Sequence, residues 1–121
     1  MCLLVYVMST HAEPVKYRVA DLKADRGRAE IYVNGMWGTI CDLYWEDKDA
    51  DVFCRAAGYL GGESSVLASS GSVGQPIWMS HVECNGKETD FLQCRASWDR
   101  KTVSRCSHLD DACVKCYRSG E

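Results

Sequence analysis

Six basic residues in two short stretches are the part of this 121-residue chain best suited to gripping a ligand. Arg26 and Arg28 lie together near the start, and Arg95, Arg100, Lys101 and Arg105 crowd a late segment around Trp98. Arginine and lysine take sulfate, phosphate or carboxylate in charge-assisted contacts, often bidentate for arginine, so the set points to a polyanion. Trp98, set among polar and basic neighbours, is the tryptophan expected at the surface, whereas Trp37, Trp45 and Trp78 are expected in the core. The same charges also fit a solvated face that only aids solubility. A further reading is a protein-binding patch made of Trp37, Trp98, Tyr44 and the serine-glycine segment after Gly61, because aromatic and arginine residues anchor interfaces. Ionic strength separates these: polyanion binding weakens steeply with salt, and a packed protein interface does so less.

Other chemistries find less support. Asp42, Glu46, Asp47, Asp49 and Asp51 crowd an acidic segment, and the net charge of −3 argues against a dedicated nucleic-acid binder. The chain has no nucleophile elbow, no phosphate-cradling glycine loop and no His-Glu-x-x-His helix. His11, His81 and His108 lack a convincing serine or cysteine partner, so no enzyme is expected. Cys113-x-x-Cys116 beside His108 has zinc-like spacing, but the other cysteines lie at uneven intervals with no second close pair.

A chain of 121 residues makes one domain that folds alone without much margin, and its elements must position these side chains. Eight cysteines at that size point to an oxidising compartment and a disulfide framework. Residues 2–8, CLLVYVM, are too short to span a bilayer, and no transmembrane helix or membrane insertion is expected. They fit either a leader or an N-terminal strand. Residues 16–22 alternate as an opening strand. Ala29, Ile31 and Val33 alternate with Glu30 and Tyr32, and Asn34-Gly35 predicts a tight type I′ turn into a return strand from Met36 to Cys41. A helix capped by Asp47 is predicted to bury Ala50, Phe53, Cys54 and Ala57 and to stop at Gly58. Residues 61–75 read as a long surface loop with one strand near Val66 and Leu67. Ile77 to Met79 is a short strand, and Asn85-Gly86 a turn. Glu88 to Cys94 is a helical turn placing Phe91 and Leu92 inward, and a last strand runs near Ala112 to Cys116.

The run GRAEIYVNGMWGTIC continues as Cys41-Asp42-x-x-Trp45 and as Ala50-Asp51-Val52-Phe53-Cys54-Arg55-x-x-Gly58-Tyr59. With Gln75-Pro76-Ile77-Trp78, Val82-x-Cys84-x-Gly86-x-Glu88, Phe91-Leu92-x-Cys94 and Cys106-Ser107-His108-x-Asp110-Asp111-Ala112, it resembles the scavenger receptor cysteine-rich domain over residues 17–116. The resemblance implies an α+β fold: a small disulfide-rich domain with a curved antiparallel sheet cradling one main α-helix. It divides the chain into a leader or extension at 1–15, the domain at 16–117 and a tail at 118–121.

It also implies the pairs Cys41 with Cys106, Cys54 with Cys116 and Cys84 with Cys94. Asp25 and Tyr59 stand where an eight-cysteine subgroup has two more cysteines, so the resemblance is to the six-cysteine type, group A. Cys2 and Cys113 fall elsewhere, Cys113 at a place where the family has glycine. If a leader is removed, Cys113 is either buried as a small apolar side chain or open to an intermolecular bond. Related domains hold calcium where this chain has Asp42, Leu43 and Asp110, with Asp111 adjacent. Leu43 removes one ligand, and Ser80 and His81 replace a second acidic pair. No cofactor is required, and calcium would bind weakly, at about 10⁻⁴ to 10⁻³ M. The implied function is a non-enzymatic module, secreted or part of an ectodomain, for polyanionic polysaccharide, lipopolysaccharide, bacterial surfaces or an extracellular protein.

Overall fold

In the computed structural model, which describes residues 13–23, 26–66, 70–71 and 74–118, the chain reverses at Asn34 and Gly35 with φ of 51° and 80°. Both angles are the positive ones a type I′ turn needs. The turn joins β2 (Arg26–Val33) to β3 (Met36–Ile40), which pair Glu30 to Thr39 and Val33 to Met36. The other strands are β1 (Lys16–Lys23), β4 (Gly61–Ser65), β5 (Ile77–Glu83), β6 (Arg95–Ser97) and β7 (Cys113–Tyr117). The main helix, α1, spans Asp47–Ala56, and a single later turn, α2, spans Arg100–Val103.

Glu30, Ile31 and Tyr32 pair with both β1 and β3, and Arg26 and Arg28 with both β1 and β7. A strand has two edges, so β3 and β7 lie end to end along the edge of β2 opposite β1. Their junction is sealed by the Cys41–Asp111 bridge and by Ala112 donating its N–H to the Ile40 carbonyl at 2.7 Å. The sheet continues through β5 to β6 on one side and through β7 to β4 on the other. It departs from the expected all-antiparallel sheet at β3 and β5, which run parallel, Thr39 against Ile77. Parallel neighbours need a long crossover, and the stretch from Cys41 to Pro76, containing α1, supplies it.

The cap of helix α1 is Glu46, one residue before the expected Asp47, because Asp49 is the acid that reaches back to accept the Glu46 N–H at 2.7 Å. Asp47 instead accepts the backbone N–H and hydroxyl of Ser64, tying the helix to β4. The buried face carries Ala50, Val52, Phe53 and Cys54, and the helix gives way to Gly58 at φ 99°. Phe53, Phe91, Trp45 and Tyr17 meet edge to face, Phe53 and Phe91 with centroids 5.3 Å apart. Phe91 points inward as expected, but Leu92 is exposed, because its 3-10 turn (Phe91–Gln93) offers the core one position only.

The expected loop from Gly61 begins with a strand, placed earlier than the one read at Val66; Leu67 lies outside the described residues. Gly61 and Gly62 mark a close approach rather than a break. A Cβ on Gly62 would sit 2.3 Å from the Cys54 sulfur and 2.6 Å from the Lys115 carbonyl, which only glycine allows. Among the described residues three disulfides, Cys41–Cys106, Cys54–Cys116 and Cys84–Cys94, fasten the late segment to β3, the helix to β7, and the turn after β5 to the start of β6.

Candidate functional site

The late basic segment is a short arm built out from the sheet. Strand β6 pairs with β5 through Ser97 to Ser80 and Arg95 to Glu83. Asp99 then caps α2 by accepting the Lys101 N–H at 3.0 Å, a side-chain cap for a turn too short to hold itself. Val103 is the one buried residue of that turn, and Cys106 closes the arm onto Cys41. With its ends so fixed, the arm presents Arg95, Arg100, Lys101 and Arg105 to solvent, and Trp98 at 43% exposure among them.

Beside the arm lies a cleft of about 350 Å³. Trp98, Arg100 and Ser104 form its arm side, and Val33, Asn34 and Trp78 stand opposite. Trp78 is half-buried and held in place. Its Nε1–H donates to the Met36 carbonyl at 3.1 Å, and its ring lies on Gly38, where a Cβ would come within 2.3 Å.

The two early arginines part from the expected cluster. Arg26 is exposed at the start of β2, whereas the cleft meets β2 at Val33; seven residues of strand put them roughly 23 Å apart. Arg28 is 6% exposed, donating to Glu30 at 2.8 Å and to Asp21 and the Ser70 carbonyl at 3.0 Å each, so it is no surface contact. The reason is a layer that sequence alternation hides. Alternation puts Glu30 on the face opposite Ala29 and Ile31, yet it is 0% exposed, because Ser70, Gly71 and Gln75 come over that face of the sheet. Arg18, Arg28 and the Gln75 side-chain amide all donate to Glu30. Burial alone would raise the Glu30 carboxyl, but hydrogen bonds from Arg28, Gln75 and Arg18 outweigh it and hold the group below its usual range. Arg18 also stacks over Trp37 at 4.1 Å, which places that ring under a cation rather than in the core.

The acidic candidates sit at the β3–β7 junction, where the Asp42 N–H donates to the Asp110 carbonyl at 2.7 Å. Partial burial raises the Asp42 carboxyl, and the charges of Asp110 and Asp111 raise it further. Asp111 belongs to the scaffold: it is 1% exposed, accepts the Gly71 N–H at 2.8 Å and lies 3.0 Å from His108 Nδ1. His108 Nε2 reaches the Gln75 carbonyl at 2.9 Å, so this pair also secures the covering segment. Asp110 accepts the Ser107 N–H at 3.0 Å. As calcium ligands the residues fit in part: Asp42 carries the repulsion of Asp110 and Asp111, Asp110 has one oxygen on the Ser107 N–H, and Asp111 is committed to Gly71 and His108. Among the described residues, the one close grouping of metal-binding side chains is Cys84, Glu88 and Cys94, and its two cysteines share a disulfide.

Ser80 Oγ lies 2.6 Å from His81 Nδ1, but Ser80 is 0% exposed and out of reach of any substrate. Cys113 is 1% exposed with its sulfur 3.8 Å from the Asp111 carbonyl, so it fills core space rather than facing a second molecule. Cys2 and Asp25 lie outside the described residues. Tyr44 is exposed at 65% and its ring packs on His81 with centroids 5.2 Å apart, whereas Trp98 lines the cleft and Trp37 lies under Arg18.

Comparison with known proteins agrees with this architecture. Residues 20–117 match the model of the scavenger receptor cysteine-rich domain. The mouse (Mus musculus) macrophage receptor MARCO is 44% identical over 93 residues, 76% of this chain but 17% of that protein, so the chain spans about a sixth of this curated relative. The crystal structure of the dimeric form of the mouse MARCO domain superposes with a TM-score of 0.66 at 39% identity, covering 82% of this chain and 94% of that one. The third such domain of murine neurotrypsin gives 0.70 at 36% identity, over 85% and 96%. The helix cradled by a curled sheet, the bridges that close it and these matches together make the chain a member of the scavenger receptor cysteine-rich family.

Proposed function

We propose that the domain works outside the cell as a non-enzymatic binding module for polyanionic ligands, such as sulfated polysaccharide, lipopolysaccharide or bacterial surfaces, through the arm that carries Arg95, Arg100, Lys101 and Arg105. The observation that carries this is the arm itself: four exposed cations on eleven residues whose ends are fixed by β6 and the Cys41–Cys106 bridge, on a chain of net charge −3. Each exposed contact is weak, but several on one polymer add through avidity. A relative described as a macrophage receptor supports a receptor context. Arg26, at the other end of β2, would serve a long polymer as a second contact. The three bridges, with Tyr59 where further cysteines stand in the larger subgroup, favour the six-cysteine, group A type.

The test is replacement of Arg100 and Lys101 by alanine, assayed against heparin, lipopolysaccharide and whole bacteria at low and physiological salt. The expected result is a loss of about tenfold or more, larger at low salt, with unchanged melting temperature. Unchanged binding, or loss only when Trp98 is replaced, moves the assignment to a specific extracellular protein partner.

Calcium is a weak adjunct on this reading. Asp42 and Asp110 would hold it, and its chemistry there would be to neutralise the charge gathered at the β3–β7 junction. Two carboxylates fall well short of the six to eight oxygens calcium takes, so affinity is about 10⁻⁴ to 10⁻³ M. Asp42→Asn is expected to remove the rise in melting temperature that millimolar calcium gives the parent. Because the folded Asp42 carboxyl titrates above its ordinary value of 3.8, its protonation favours folding at acid pH, and that contribution is lost as pH rises through the folded value. Asp42→Asn therefore gains on the parent between pH 3 and 7, by no more than about 0.5 kcal/mol for so exposed a residue. Titration calorimetry showing submicromolar calcium would contradict this assignment.

A further inference from the structure

We propose that the cleft between the hairpin and the arm is a subsite for one acidic sugar unit, a pyranose ring bearing sulfate or carboxylate, within the polyanion the arm attracts. The inference rests on the polyanion reading and adds what bare charge cannot supply, a shape that reads the repeating unit. The cleft, at about 350 Å³, lies at the small end of ligand sites, with room for a sugar ring or two rather than a folded partner. Its two indoles suit the C–H face of a pyranose, which is apolar although the ring edge is not. Asn34 and Ser104 offer an amide and a hydroxyl to ring hydroxyls, and Arg100 offers a guanidinium to the acidic group. The described residues that line it include no carboxylate, which disfavours a cationic ligand.

The pocket is also prepared in advance. Trp78 is held at its edge by the Met36 carbonyl and on one face by Gly38, and Val103 is buried beneath the arm, so ordering cost on binding is small. Arg95 and Lys101 do not line the cleft. Attraction and recognition are therefore divided between neighbours on one arm.

The experiment titrates the protein with a sulfated heparin disaccharide, its desulfated and carboxyl-reduced counterpart, and an acidic peptide, reading the indole N–H resonances of Trp78 and Trp98. The sulfated disaccharide is expected to shift both, and its neutral counterpart neither. Trp98→Ala and Arg100→Gln are each expected to weaken it about tenfold, and Arg95→Gln with Lys101→Gln to leave it within twofold while weakening full-length heparin. Trp98 and Arg100 are exposed, so these variants keep the fold. Absence of indole shifts from the disaccharide while heparin still binds in a salt-sensitive way overturns the subsite and spares the polyanion reading. Disaccharide binding with heparin affinity indifferent to Arg95 and Lys101 overturns the polyanion reading instead. Indole shifts from the acidic peptide alone overturn the sugar assignment.

Discussion

Replacing Glu30 by alanine is expected to destabilise the domain by about 3–5 kcal/mol, the largest effect of any single charged residue, because it strips a buried ion pair of its centre. Glu30 is 0% exposed and receives Arg18, Arg28 and Gln75; without it Arg28, itself 6% exposed, keeps its charge in a buried site with only part of its compensation. Glu30→Gln preserves shape and is expected to lose nearly as much, since an amide cannot balance two guanidinium groups. The pH dependence follows from the sign of the shift. The folded carboxyl titrates below its ordinary value of 4.5, so its contribution is complete above that value and disappears as pH falls through the folded one. The gap between parent and Glu30→Gln in urea melts should therefore be constant from pH 8 to 5 and close below pH 4. A gap under about 1 kcal/mol at pH 7 would show that the layer is solvated after all.

Removing the Cys54–Cys116 bridge as a double alanine variant is expected to cost about 4 kcal/mol. The bond spans 62 residues, and the entropy it withholds from the unfolded chain grows with the logarithm of that span. Cys54 is 0% exposed on the helix face against β4 and β7, so lost packing adds to the entropic cost. Cys84–Cys94 spans only 10 residues, and its removal is expected to cost about 3 kcal/mol by the same relation. Thermal melts of the two double variants check the order; a reversal would mean that local packing, and not chain entropy, sets the value of each bridge.

How much of this was legible in the sequence depends on how local the signal is. Asn34-Gly35 announced its turn because positive φ is a property of two residues, and the helix was readable from apolar spacing within ten. Glu30 and Arg28 were misplaced because strand alternation speaks only of the sheet's two faces, and what covers the second face arrives some forty residues later through Ser70 and Gln75. The clustering of Arg95, Arg100, Lys101 and Arg105 was visible as a run, whereas the separation of Arg26 from it is a matter of which end of β2 the arm meets. Asp111 looked like a ligand because an acidic pair has no inward or outward signature; its Gly71 and His108 contacts are tertiary. Of the cleft, only the arm side was legible, as Trp98 and Arg100, since hairpin and β5 contribute to it separately. Gly38, forty residues ahead of Trp78, makes room for that ring, and only contact between them reveals it.

The most direct measurement of the central claim is the affinity for heparin as a function of salt, for the parent and for a variant with Arg95, Arg100, Lys101 and Arg105 all changed to glutamine. The parent is expected to lose affinity steeply as ionic strength rises from about 0.05 to 0.2 M, while the variant binds weakly throughout and shows a nearly flat dependence. Parallel curves of equal slope, with the variant still binding like the parent, would contradict the assignment of the arm as the ligand-binding face.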